Sequence, residues 1–148
     1  MAASPVVEAL RWVAQKLAAD STLSAQLGGR WCEPPAPVDW QDPFVVWVQN
    51  QTPEDLMTNG SVLLMSTVYL RSLIAQRGTS KTSPFDLTAI DARLQQVLHR
   101  SSGVTGTGAT IIDCIRLRPA LTLPDFDRGT AAQYVQVGSE WSILVQAA

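Results

Sequence analysis

The run SVLLMSTVYLRSLIAQ, residues 61–76, constrains this chain more than any other stretch. Val62, Thr67, Val68, Tyr69 and Ile74 favour an extended backbone, because β-branched and aromatic side chains fit a pleated surface better than a helix. A helix is the competing reading of the same run. As a strand, Val62, Leu64, Val68, Leu70 and Ile74 share one face, and Leu63, Met65, Tyr69 and Leu73 share the other beside Thr67 and Arg71. At about 3.3 Å per residue it reaches roughly 50 Å, more than a domain of this size needs. It is apolar on both faces, so both need cover: helices of the same chain on one, a neighbouring subunit on the other.

The flanks supply those helices. Ser4 and Pro5 mark a start, and Val6, Leu10, Val13 and Leu17 then recur on one helical face with Glu8 near the favourable end of the dipole. Asp20 or Ser21 caps a short second helix, which Gly28 and Gly29 stop. Ser83 and Pro84 open another long helix with Leu87, Ile90, Leu94, Val97 and Leu98 as its apolar face. Further strands are expected at 44–49 (FVVWVQ), at 110–117 with Ile111, Ile115 and Leu117 inward, and at 133–146 with Trp141, Ile143 and Val145 in one phase. Residues 30–42 read as a proline-rich connector flanked by Trp31 and Trp40. Residues 52–61, with Pro53 and Asn59-Gly60, read as a projecting loop. Residues 119–131, with Pro119 and Pro124, read as a loop that interrupts pairing. The pattern predicts one α+β domain over 1–148, with an extended region at 52–76. Its sheet is antiparallel or mixed, of about four strands, with two main helices packed on it.

With 148 residues, the chain can bury a core without staples. Charged residues are 16%, against a usual value of about a quarter, which favours hidden neutral surface. Net charge is −2, so no global basic field points to nucleic acid. Residues 1–60 are acidic and the remainder slightly basic, a pattern that suits head-to-tail stacking and equally suits plain solubility. Cys32 and Cys114 lack metal spacing and read as buried thiols in a reducing compartment. No signal peptide or membrane-spanning run is visible, so folding in a cytoplasm is expected.

Candidate chemistry is sparse. His99, the single histidine, stands near a helix end with nothing beside it to complete a triad, so a capping or surface role is the better reading. Asp113-Cys114 and Asp125-Phe126-Asp127 resemble fragments of sites, but the latter lacks the rest of a calcium loop. GVTGTG, with Gly103, Gly106 and Gly108, follows a helix rather than a strand, the wrong context for phosphate binding. No catalytic residue, metal or cofactor is expected. Arg116 and Arg118 alternate on one strand face, available to phosphates or acidic partners, or simply solvated. Trp47 and Trp141 read as core; Trp31 and Trp40 suit an interface.

The order of segments resembles the tail-terminator, or tail-completion, family of long-tailed phages and gene-transfer particles. The resemblance rests on LSAQLGGRW at the end of the first helical region and on PFVVWVQ, SVLLMSTVYLRSLIAQ, LTAIDARLQQVLHR and IIDCIRLRP, followed by a closing strand. It spans nearly the whole chain as a pattern of elements rather than an exact motif. The 119–131 loop and the tryptophan richness fall outside it. It implies a virion protein, assembled in the host cytoplasm, that forms a homo-hexameric ring on the tail tube protein and ends tube growth. It further implies a surface for a head-completion or stopper protein, with DNA passing through unread. A ring needs two different patches that meet. Trp31, Trp40, Glu54, Asp55, Leu56, Met57, Leu63, Met65, Tyr69 and Arg71 are the expected contacts, with Arg116 or Arg118 toward the lumen. The alternatives are a head-side connector or neck protein and a small ligand-binding domain.

Overall fold

The computed structural model describes residues 4–33, 43–57, 64–77, 84–127 and 132–146. Elements run α1 (Pro5–Ala19), α2 (Ser21–Leu27), β1 (Trp31–Cys32), β2 (Phe44–Met57), β3 (Leu64–Arg77), α3 (Pro84–Leu98), β4 (Gly103–Val104), β5 (Thr110–Asp127) and β6 (Ala132–Gln146). The six strands form one curled sheet in the order β1-β2-β3-β6-β5-β4, in which only the β1–β2 pair is parallel. The α+β class holds. The expected count of about four strands is corrected to six among the described residues, and the helices there are three, the two main ones, α1 and α3, and the short α2.

The long strand expected at 61–76 is β3, between β2 and β6 at the centre of the sheet. Val68, Leu70 and Ile74 point to the helix layer and are fully buried. Val45 and Trp47 of β2, Ile111 and Cys114 of β5, and Val137, Trp141, Ile143 and Val145 of β6 join them. The helices contribute Ala9, Trp12, Val13, Leu17, Leu23, Leu27, Leu87, Ile90, Leu94 and Leu98. On α1 the buried stripe centres on Trp12 rather than on Val6 and Leu10, which pack at its margin. Gly103 makes room for that ring: a Cβ there would stand 2.9 Å from Trp12 Nε1.

Two stretches expected as loops are strands over their described residues. Residues 52–57 complete β2, and 119–127 complete β5. The distal part of β2 lies beyond Phe44, Val45 and Trp47, its buried residues, and Glu54 and Asp55 there are exposed. Pro53 is tolerated on a strand with one paired side, and the register shifts between Gln49 and Gln51 and between Gln51 and Glu54 absorb the irregularity. Pro119 and Pro124 occupy β5 in the same way, beside shifts at Arg116/Arg118 and Arg118/Leu121.

The caps differ in part from expectation. Ser4 holds the N-cap position of α1, but its side chain makes no capping bond. Asp20 does cap α2, where Oδ2 accepts from the Leu23 N–H at 2.9 Å, and Gly28 ends it at φ 56°, where a Cβ would be strained. The Asp20 carboxylate also receives Arg93 from α3 at 3.1 Å through Nε, which ties α2 to α3 and holds the acid below its ordinary range. Ser61, Val62 and Ser83 lie outside the described residues.

A candidate assembly surface

Strand alternation sends the other half of β3 to the side away from the helices. Met65, Thr67, Tyr69, Arg71 and Leu73 lie there, all half-buried. Their register partners extend the surface across the sheet: Val46 and Val48 on β2, and Glu140, Ser142, Leu144 and Gln146 on β6. Ile115 of β5, opposite Ser142, continues it. The result is an apolar field with a charged row through it. Val48, Arg71, Glu140 and Arg118 stand side by side on four successive strands, and Arg118 Nε meets Glu140 Oε2 at 3.2 Å. Arg71 and Leu73 lean over Gly138, where a Cβ would come within 3.1 Å of Leu73 Cδ2 and 3.2 Å of the Ser72 carbonyl. Tyr69 lies beside Glu54; burial first, then the Glu54 charge and hydrogen bond, push its phenol up.

Alternation also sorts the residues singled out in the sequence. Met65, Tyr69 and Arg71 share this face, and Glu54 joins them through its register partner Thr67. Asp55 turns the other way and accepts from Ser66 Oγ at 2.5 Å. Leu56 and Met57 pair with Met65 and Leu64 near the end of the hairpin. Leu63 and Trp40 lie outside the described residues. Trp31 is half-buried and lines a groove of about 380 Å³ with Val7, Leu10, Cys32 and Trp47. Val46, Val48, Glu140 and Leu144 were not singled out, Leu73 was read on this face but not among the contacts, and Ile115 was expected on the opposite, inward side. Their signal was the alternation of their strands in phase with Tyr69, which becomes readable only once the register is known.

Arg116 and Arg118 do not share a face. The register shift between them places Arg116 opposite Trp141 and Arg118 opposite Glu140, which point to opposite sides. Arg116 turns toward the helix layer, where its Nη2 meets Asp91 Oδ2 of α3 at 2.5 Å and its Nη1 meets Gln95 at 2.6 Å. The side chain is only 15% exposed, against 76% for Arg118. An earlier shift, between Ile111 and Asp113, puts Cys114 inward and turns Ile115 and Leu117, both expected inward, to the outer phase, with Leu117 49% exposed.

The remaining polar clusters are internal fittings. Glu8 is buried, and its carboxylate accepts from Thr105 Oγ1 and Thr107 Oγ1, each at 2.6 Å, and from Arg11 at 3.1 Å. The two threonine hydrogen bonds are the main reason its pKa lies below the usual carboxylate value. Thr105 and Thr107 belong to the GVTGTG loop, so that loop holds an anion of its own chain. Asp113 Oδ1 accepts from the Cys114 N–H at 3.0 Å, and His99 Nδ1 accepts from the Arg116 N–H at 3.1 Å. Burial, followed by the Asp113 charge, pushes the Cys114 thiol up to about 12. Among the described residues no three His, Cys, Asp or Glu side chains cluster to hold a metal, and no helix is long and apolar enough to cross a membrane.

No protein-family model matches this chain, and no curated protein matches it in sequence. A solved structure does. A chain in the virion of the native gene transfer agent (GTA) particle has the same fold. The two superpose with a TM-score of 0.56 over 88% of this chain and 90% of that one, at 14% sequence identity. At that identity the likeness concerns the fold.

Proposed function

We propose that this chain is a structural virion protein whose copies form a ring on the end of a phage-type tail tube, ending its polymerisation and offering a surface for head–tail joining. The fold shared with a chain of the GTA virion carries this reading. The segment order of the sequence supports it independently, as does a central strand whose second face has no covering helix among the described residues. In this reading the field around Tyr69, Arg71, Leu73 and Leu144 meets a different patch on the next copy or on the tube, as the heterologous contacts of a ring require. The groove beside Trp31 offers such a second patch.

Electron microscopy of the purified protein mixed with growing tubes of its tail tube protein tests the proposal. Ring-shaped density at tube ends with arrested elongation is expected. Binding to a portal complex and not to tubes would move the protein to the head side of the joint. A protein that neither oligomerises nor binds tubes would remove both readings.

A further inference from the structure

An edge strand presents outward N–H and C=O groups that invite pairing with another chain. Among the described residues β5 is such a strand: β4 pairs with it only at Thr110 and Ile111. Past that point three outward groups, on Cys114 and Arg116, are nevertheless taken, and not by a strand. The Cys114 N–H donates to the Asp113 carboxylate at 3.0 Å. The Cys114 carbonyl accepts from the Arg100 N–H at 2.6 Å. The Arg116 N–H donates to His99 Nδ1 at 3.1 Å. Immediately beyond, the register shift between Arg116 and Arg118 breaks the ladder.

The turn that supplies His99 and Arg100 is built at a cost. Arg100 is the one non-glycine residue with positive φ among those described, at 61°. Glycine is the usual occupant of that position past a helix end, and a side chain there is strained. Its N–H bonds the strand carbonyl rather than closing the helix, and its guanidinium holds Asp113 Oδ2 at 2.6 Å. Asp113, the acid of the fitting, is fixed by the residue that the fitting strains.

We propose that the C-terminal turn of α3 is an edge guard, in which His99, Arg100 and Asp113 occupy the outward peptide groups of Cys114 and Arg116 and keep this part of the β5 edge from pairing with the same edge of a second copy. The exposed Ile112 and Leu117 on this strand are the apolar side chains that such a pairing would cover. Two copies of one edge pair antiparallel about a two-fold axis, a closed dimer unlike the contacts of a ring. The guard therefore stands whether or not the ring reading holds.

The test compares the full-length wild type with His99→Leu, which keeps bulk and loses the acceptor, and His99→Gln, which retains one. In dilute solution the Arg116 amide is expected to exchange with solvent at least tenfold faster in His99→Leu and at nearly the wild-type rate in His99→Gln. On concentration, spin labels on Ile112→Cys in a Cys32→Ser background should come within about 20 Å between copies in His99→Leu only, because paired strands lie about 5 Å apart. Asp113→Ala, which frees the Cys114 N–H instead, should give the same association if His99→Leu does not fold. An Arg116 amide as protected in His99→Leu as in wild type would overturn the proposal. So would folded variants that expose the edge and associate no more than wild type.

Discussion

Arg116 of β5 and Asp91 of α3 meet at 2.5 Å, with their side chains 15% and 2% exposed. Ser139 Oγ of β6 donates to the second Asp91 oxygen at 2.6 Å, and Trp141 Nε1 donates to Ser72 Oγ of β3 at 3.0 Å. Ser72 Oγ in turn reaches the Ser139 carbonyl at 3.4 Å. One polar chain thus runs from α3 through β5 and β6 to β3 and fixes how the helix lies on the sheet.

Breaking this pair from one side leaves a buried charge uncompensated. Asp91→Ala is expected to lower unfolding free energy by about 3–5 kcal/mol, and the double variant Asp91→Leu/Arg116→Met should recover most of the loss. Urea unfolding followed by tryptophan fluorescence measures both.

The Glu8 carboxylate links the first turn of α1 to the β4–β5 turn. Its folded pKa lies below the unfolded value, so its contribution is complete above the ordinary carboxylate range and is lost as pH falls through the lower folded value. Glu8→Gln should therefore be less stable than wild type at pH 7. Its stability should fall less steeply than wild type between about pH 5 and pH 2. Thermal unfolding of both proteins across that range gives the two slopes.

Burial and the neighbouring acid hold the Cys114 thiol near 12, so almost no thiolate forms at pH 8. Cys32 is also raised, by burial and then by Glu33, but it is half-buried at the groove. A thiol reagent at pH 8 should label native protein at Cys32 first and reach Cys114 only on unfolding. Mass spectrometry of the labelled peptides distinguishes the two.

Gly138 is where Arg71 and Leu73 cross β6, and the Ser72 carbonyl on one side cannot retreat as a flexible side chain would. Gly138→Val should cost about 1–3 kcal/mol through overpacking. It should also displace Arg71 and Leu73 on the candidate surface. Chemical-shift changes confined to β3 and β6 on the face away from the helices would mark that displacement.

Periodicity located α1, α3, β3 and the buried phase of β6, because each has an apolar face that the helix–sheet layer must bury. It could not locate residues 52–57 or 119–127 as strands. Pro53, Glu54 and Asp55, like Pro119 and Pro124, carry turn chemistry, and strands with one paired side tolerate it. The register shift after Arg116 was equally invisible. That inserted residue parted Arg116 from Arg118, an earlier one between Ile111 and Asp113 moved Ile115 and Leu117 outward, and no local pattern announces a bulge. Asp91 gave no signal either, since its partners Arg116 and Ser139 lie 25 and 48 residues away. On the candidate surface, Met65, Tyr69 and Arg71 were legible as the second face of β3. The residues beside them on β2, β5 and β6 needed the strand order.

The most direct test of the assembly account uses Leu144→Lys, which places a charge in the middle of the sheet face away from the helices while leaving the buried phase of β6 intact. Tubes growing in the presence of wild-type protein should show capped ends and arrested length by electron microscopy. Tubes growing with equally folded Leu144→Lys should show bare ends and continued growth. Bare ends with the wild type, or unchanged capping by the variant, would contradict the account.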